Sequence, residues 1–208
     1  GARRPSRIHD LGCSDGALAE QLRVHGHRVT GVDREEHPGT TDRLDAFVAG
    51  DLDEGIPDAA GGDYDIVLAA DVLEHVREPE QLLFDARHRL APGGSVITSV
   101  PNIGHWYPRL RVALGRFDYD RRGILDRDHI RFFTRHSFER LVRRAGLTVR
   151  RQEAVGLPLE IADRGGTATV TAGRLGRMAR AVDRVGLSAA PNLFAYQFLF
   201  ELEPRPEG

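Results

Sequence analysis

Through its first hundred residues the chain alternates short β-rich runs with helical patterns, and few folds satisfy that alternation besides a parallel sheet with helices on both faces. Ile8–Leu11, Arg28–Val32, Phe47–Gly50, Asp65–Ala70 and Ser95–Val100 read as strands. The fourth, Asp-Ile-Val-Leu-Ala-Ala, has the nearly unbroken apolar run of a strand buried on both sides. Between them, Ala17–His25 reads as a helix with Leu18 and Leu22 on one face and Gly26 at its end. A second helix runs from Pro79, well suited to a first helical position, to about Leu90, and Pro92-Gly93-Gly94 turns the chain into the fifth strand.

The second half is less regular. Residues 101–131 are rich in aromatics and arginine and too long for a plain connection, so they are expected to form a lid. Thr134 caps an expected helix through Ala145, with Phe138, Leu141 and Val142 inward. A strand follows at Leu147–Ala154. The last, Phe194–Leu202, alternates Phe194, Tyr196, Phe198, Phe200 and Leu202 against smaller or polar residues, so one side is expected to be buried. Before it, Leu175, Met178, Val182 and Val185 make an apolar stripe, with Arg174, Arg177, Arg180 and Arg184 on another face. That stripe suits packing on the sheet, or docking on a membrane surface or partner domain. Pro204–Gly208 reads as a disordered tail.

Composition removes several chemistries. All 29 basic residues are arginine. Without lysine there is no P-loop, no Schiff-base pyridoxal enzyme and no kinase strand lysine. The formal charge of -2 hides a division, since residues 1–100 carry 10 arginines against 19 acids and residues 101–208 carry 19 against 12. The two halves are expected to face different ligands. Cys13 stands alone, so no internal disulfide forms, and no apolar run reaches the length of a membrane span; a cytoplasmic setting is expected. Two hundred residues suit one domain over 1–208, divided as a cofactor-binding half (1–100), a lid and acceptor region (101–133) and the completion of the sheet (134–203). The chain opens Gly-Ala without methionine, which reads as a segment cut from a longer protein.

The most informative stretch is Asp10-Leu11-Gly12-Cys13-Ser14-Asp15-Gly16, a glycine-rich turn between the first strand and first helix. Ligands of doubly wound sheets bind outside the carboxyl ends of the strands, where glycine lets backbone approach ligand. A dinucleotide site wants G-x-G-x-x-G; here the glycines stand as G-x-x-x-G between two carboxylates, which repel pyrophosphate and suit a ligand with an amino group. Asp33, closing Gly31-Val32-Asp33, is placed to accept both hydroxyls of a ribose. Gly50-Asp51-Leu52 follows the third strand, where a carboxylate can accept from an exocyclic amine. Ala70-Asp71-Val72-Leu73-Glu74-His75-Val76 follows the fourth. Four strand ends outline one elongated pocket for a nucleoside with a cationic amino-acid tail.

With these motifs in this order, ending in LAPGGSVITSVPN, residues 7 to about 102 resemble class I S-adenosylmethionine-dependent methyltransferases. The second half is similar to bacterial methyltransferases associated with glycosyltransferases and with sugar or natural-product pathways. The resemblance implies a Rossmann-like α/β fold, a doubly wound seven-stranded sheet, mostly parallel with an antiparallel last strand and a lid insertion after the fifth. It implies S-adenosyl-L-methionine as cofactor. Gly12, Ser14 and Gly16 would pass its methionine part, Asp10 would orient that loop or the amine, Asp33 would bind ribose, and Gly50, Asp51 and Leu52 would hold adenine. Arg34 would stack beside the adenine, and Asp71, at the fourth strand end, is a further cofactor-binding candidate. Ser14 stands where the family more often has glycine, and the helix that covers the cofactor in that family is absent from the sequence before the first strand. The plainer readings are that Asp10 caps the turn, Asp51 is a surface acid and Cys13 is a packing residue.

A hydroxyl acceptor must lose a proton, for which histidine is the usual base. His129 ends the lid and His75 follows the fourth strand; the alternatives are that His129 holds the lid by bonding backbone and that Glu74-His75 stabilises its loop. Trp106, Leu110 and Leu114 fall on one helical stripe, expected to be core, while His105, Trp106 and Tyr107 are candidates to line an acceptor pocket. Arg109, Arg111, Arg116, Arg121, Arg122, Arg127 and Arg131 suit an anionic acceptor, unless Asp118, Asp120, Asp126 and Asp128 neutralise them. No H-x-H, H-E-x-x-H or clustered-cysteine spacing occurs, so no metal site is expected. The function expected is O-methylation of a small-molecule, sugar or glycan acceptor, with association to a glycosyltransferase. N- or C-methylation and a non-catalytic docking module are the alternatives. The absence of a continuous basic run argues against nucleic acid.

Overall fold

A computed structural model describes residues 5–156 and 185–206. The described elements are β1 (Arg7–Leu11), α1 (Ala17–Val24), β2 (Arg28–Asp33), α2 (Thr40–Arg43), β3 (Ala46–Ala49), a 3₁₀ turn (Asp58–Ala60), β4 (Tyr64–Ala70), α3 (Pro79–His88), β5 (Leu90–Pro101), α4 (Trp106–Ala113), α5 (Arg135–Arg144), β6 (Leu147–Val155), α6 (Pro191–Phe194) and β7 (Gln197–Pro204). The seven strands form one sheet in the order β3-β2-β1-β4-β5-β7-β6. β1 to β5 pair in parallel, and β7 runs antiparallel to both β5 and β6. The expected α/β architecture, with its antiparallel last strand, is the observed one.

The chain winds outward from β1 to β3, then restarts at β4 on the other side of β1. Strand order reverses there, and the diverging loops leave a crevice at the carboxyl ends of β1 and β4. Both faces of the sheet are covered. Phe138 of α5 packs on Phe200 with Val142, Phe198 and Leu202 on one face, and Ile8, Cys13, Ala19, Val29 and Leu44 form a smaller core on the other. Cys13 is therefore a packing residue, its thiol pushed up to about 12 by burial.

Several local expectations are corrected. β5 begins at Leu90, because Leu90 pairs with Tyr64 before a register shift carries Pro92–Gly94 across to the Ser95–Ile66 pairing. The last strand starts at Gln197, since Phe194 belongs to the short helix α6. It runs through Pro204, and Arg205 N donates to Gly146 O, so the first two residues of the expected tail are held to the fold. Leu18 is 42% exposed because Ala19, on the other side of α1, faces the core. Trp106, Leu110 and Leu114 are exposed rather than core, since α4 stands on the lid and not on the sheet. Of the 174–184 arginine stripe nothing lies within the described residues; Val185, at its edge, is exposed.

Candidate active site

The glycine-rich turn is fixed to β2 by its own backbone. Gly12 N and Cys13 N both donate to Val32 O, at 2.8 and 3.2 Å, which bends the chain over the end of β2. Gly12 has φ +70°, and a Cβ there would sit 2.7 Å from Val72 Cγ2, so glycine is required by conformation and by space. Ser14 also lies in the left-handed region, at φ +49°, which explains why glycine suits this position in proteins the sequence resembles. Asp33 holds the turn in place, its two carboxylate oxygens accepting from Ser14 N at 2.8 Å and from Arg34 N at 2.7 Å. Asp15 accepts from Ala17 N at the start of α1 and pairs with Arg43, so it serves the turn itself.

A cavity of about 270 Å³ opens at the strand ends beside this turn. Seven of the ten expected cofactor residues form its wall: Gly12, Asp33, Arg34, Gly50, Asp51, Leu52 and Asp71. Val72, His75 and Val76 complete it. Asp10, Ser14 and Gly16 are not among the lining residues. Asp10 is buried behind the turn, where burial and the nearby Asp33 push its carboxyl up to about 7. Gly16 caps α1 in the left-handed region.

Two roles differ from expectation. Arg34 does not lie free for stacking; it donates to Asp51 at 2.8 Å and Asp53 at 3.2 Å. That hydrogen bond holds Asp51 below the usual carboxylate range, and Asp51 in turn accepts from Asp53 N. Gly50 is small chiefly for its neighbour, since a Cβ there would meet Pro57 Cγ at 2.3 Å.

Asp71 is shared with a second cavity of about 360 Å³, lined further by Glu74, Pro101, Arg122, His129, Tyr196 and Gln197. Asp71 has φ +54°, and its Oδ1 accepts from Ser99 Oγ and from Gln197 Nε2. Left-handed backbone at a non-glycine residue persists where surrounding bonds hold it. The two expected catalytic histidines lie at this junction, their rings meeting edge-on with centroids 4.8 Å apart. His75 lines the first cavity and His129 the second. Each faces a lid carbonyl with Nδ1, His75 toward Asp128 O at 3.0 Å and His129 toward Ile124 O at 3.2 Å. The backbone-bonding reading of His129 is thus realised at one nitrogen. Burial lowers its basicity first of all, and the bond to Ile124 O opposes that.

Glu74, expected to stabilise its loop, has a different setting. It is 1% exposed, and burial pushes its carboxyl up to about 8. Its carbonyl, not its side chain, ties the loop down, accepting from Ile130 N and Arg131 N. Tyr196 and Gln197 were missed as cavity residues because they sit far along the chain in what read as an ordinary strand.

The lid arginines divide. Arg111 is clamped by Asp120 at 2.8 Å and by the Tyr107 hydroxyl, and Arg131 donates to Arg77 O. Of the seven, Arg122 lines the second cavity and Arg109 a separate apolar groove beside α4. Among the described residues no helix is long and apolar enough to cross a membrane.

A family model described as a methyltransferase domain matches residues 2–152. A ubiquinone biosynthesis O-methyltransferase of Nitrosococcus oceani is 32% identical over 132 residues, covering 55% of this chain and 56% of its own. One from Aromatoleum aromaticum is 31% identical over 151 residues, covering 68% and 63%. The chain spans about half the length of the curated relatives it matches. Among solved structures, the Burkholderia thailandensis 1,6-didemethyltoxoflavin-N1-methyltransferase superposes with TM-score 0.61 at 19% identity, over 98% of this chain and 72% of that one. A Bacillus halodurans methyltransferase-like structure gives TM-score 0.63 at 14% identity, over 100% and 95%. At such identities the likeness is one of fold.

Proposed function

Because the chain belongs to the methyltransferase-domain family, we propose that it uses S-adenosyl-L-methionine to methylate an oxygen of a small-molecule acceptor. The observation that carries this reading is the pair of cavities meeting at Asp71, one rimmed by strand-end carboxylates and the other reaching the two histidines. The first cavity fits the cofactor: its carboxylates suit a cationic ligand, no lysine cradle for phosphates exists, and Gly12 leaves backbone where a Cβ would collide. Asp33 would hold the ribose with lone pairs left over from its two backbone contacts, and Asp51 the adenine amine, with Arg34 fixing the carboxylate. Asp10, Ser14 and Gly16 would act by shaping the turn that carries the methionine part.

When bound, the cofactor supplies an electrophilic methyl sulfonium. The chain's part is to align the acceptor with it and to exclude water. His129 or His75 would take the acceptor proton through Nε2, the nitrogen left free when Nδ1–H donates to a lid carbonyl. The relatives' name favours a hydroxylated aromatic acceptor. Arg122 on the second cavity supports an anionic group on it, which keeps a sugar nucleotide or anionic glycan, and a glycosyltransferase neighbour, within the same reading. We take residues 1–208 as one domain in a cytoplasmic setting, in keeping with the lone cysteine.

Incubation with methyl-labelled cofactor and separate panels of hydroxylated aromatics and sugar nucleotides, read by product mass, tests the assignment. A labelled product one methylene heavier is expected. Failure of calorimetry to detect cofactor binding would overturn it.

A further inference from the structure

Both side-chain oxygens of Glu74 are buried and accept no hydrogen bond. Buried carboxylates in folded proteins are paired, bonded or ligated to a metal, so an orphan of this kind implies a missing partner. His75 and His129 stand beside it, one donor atom from each of the three lying within 4.8 Å of the other two, and the Asp71 carboxylate also acts on it. Each imidazole bonds a backbone carbonyl through Nδ1, which places the proton there and leaves the Nε2 lone pair available. A ring nitrogen so anchored is how metal-ligating histidines are oriented. The lid backbone at Ile130 and Arg131 is fastened to the Glu74 carbonyl, so loop and strand end are held together before any ligand arrives.

We propose that Glu74, His75 and His129 bind one divalent transition-metal ion, with the remaining coordination positions open toward the cavity that Asp71 shares. Two imidazoles and one carboxylate favour zinc, manganese, iron or cobalt over the all-oxygen shells of calcium and magnesium. Ligand atoms bound at about 2.0–2.2 Å around a tetrahedral ion lie about 3.3 Å apart, so the cluster closes modestly on binding. Resting on the methyltransferase reading, the ion would ligate an oxygen of the acceptor, fix its orientation and favour loss of its proton to solvent, taking over the proton-accepting part that either imidazole has when no ion is bound. The sequence concealed the site because Glu74 and His75 are adjacent while His129 comes from the far end of the lid.

The test uses tag-free, chelator-treated full chain titrated with Co²⁺ alone, followed by visible absorption, and with Zn²⁺ by competition calorimetry. One ion per chain is expected. Glu74→Gln and His129→Asn should each weaken binding by more than about 100-fold, since even outer-shell changes cost about 10–100-fold. His25→Asn and His88→Asn, exposed at the C-terminal ends of α1 and α3, should leave it unchanged. Should Glu74→Gln fail to fold, His75→Asn, on an exposed side chain, makes the same test. No cobalt spectrum, or affinity unaltered in these variants, overturns the metal site. Cofactor binding, measured separately in the same preparations, reports on the Asp33 cavity, so the two readings fail independently.

Discussion

Asp33 is the residue on which turn and pocket both depend. Its two oxygens already hold Ser14 N and Arg34 N, so removing the side chain costs the turn as well as the ligand. Charge-assisted hydrogen bonds contribute about 1.5–3 kcal/mol, so Asp33→Ala should weaken cofactor binding roughly 10–100-fold by calorimetry, and Asp33→Asn, keeping one acceptor, should weaken it less. Unchanged affinity in both would remove the carboxylate from the pocket. Asp10 offers a pH test. Burial, with Asp33 nearby, pushes its carboxyl from 3.8 in water up to about 7 in the fold, so from pH 4 to 7 the folded chain holds a proton that the unfolded chain releases. Stability therefore falls as pH rises through that window and levels off above it. Relative to Asp10→Asn, the wild type should lose on the order of 4 kcal/mol between pH 4 and 7, from about three units at 1.36 kcal/mol each. Denaturant melts of both proteins across that range would show parallel curves if Asp10 were not protonated in the fold.

Among the elements, α5 shows how much local sequence can specify. Thr134 caps it as expected, its side chain accepting from Ser137 N at 3.2 Å while Ser137 Oγ accepts from Thr134 N at 2.9 Å. Thr134→Ala should cost about 1 kcal/mol, seen as a lowered denaturation midpoint with unchanged slope. A Thr134→Ser variant should recover most of it, which a purely apolar role of the threonine methyl would not allow. The lid was less legible. Its arginine content suggested a ligand surface, yet Arg111 and Arg131 are spent on Asp120 and on the Arg77 carbonyl. Composition records how many charges an element has, while pairing depends on which acids the turns bring alongside. Likewise α4 carries an apolar stripe that predicts burial, but Trp106, Leu110 and Leu114 stay exposed.

At the scale of the molecule, β7 joins the two halves. It lies between β5 and β6, and Phe198, Phe200 and Leu202 are all buried against α5 and the sheet. Phe200→Ala should cost about 3–5 kcal/mol, and because β7 touches both halves, the loss should appear as one cooperative transition by circular dichroism and fluorescence alike. Two separated transitions would show that the halves unfold independently. The sequence by itself determined the alternating elements, the glycine-rich turn and the strand-end acids, because side-chain periodicity and backbone conformation are local properties read within a few residues. Tertiary structure alone decided that Arg34 is bound to Asp51, that the lid returns His129 to His75, and that both carboxylate oxygens of Glu74 are buried beside them without a hydrogen bond. Those facts depend on loop closure over long sequence separations, where the burial of a side chain and the identity of its neighbour are set by packing of the whole and leave no periodic trace in the chain.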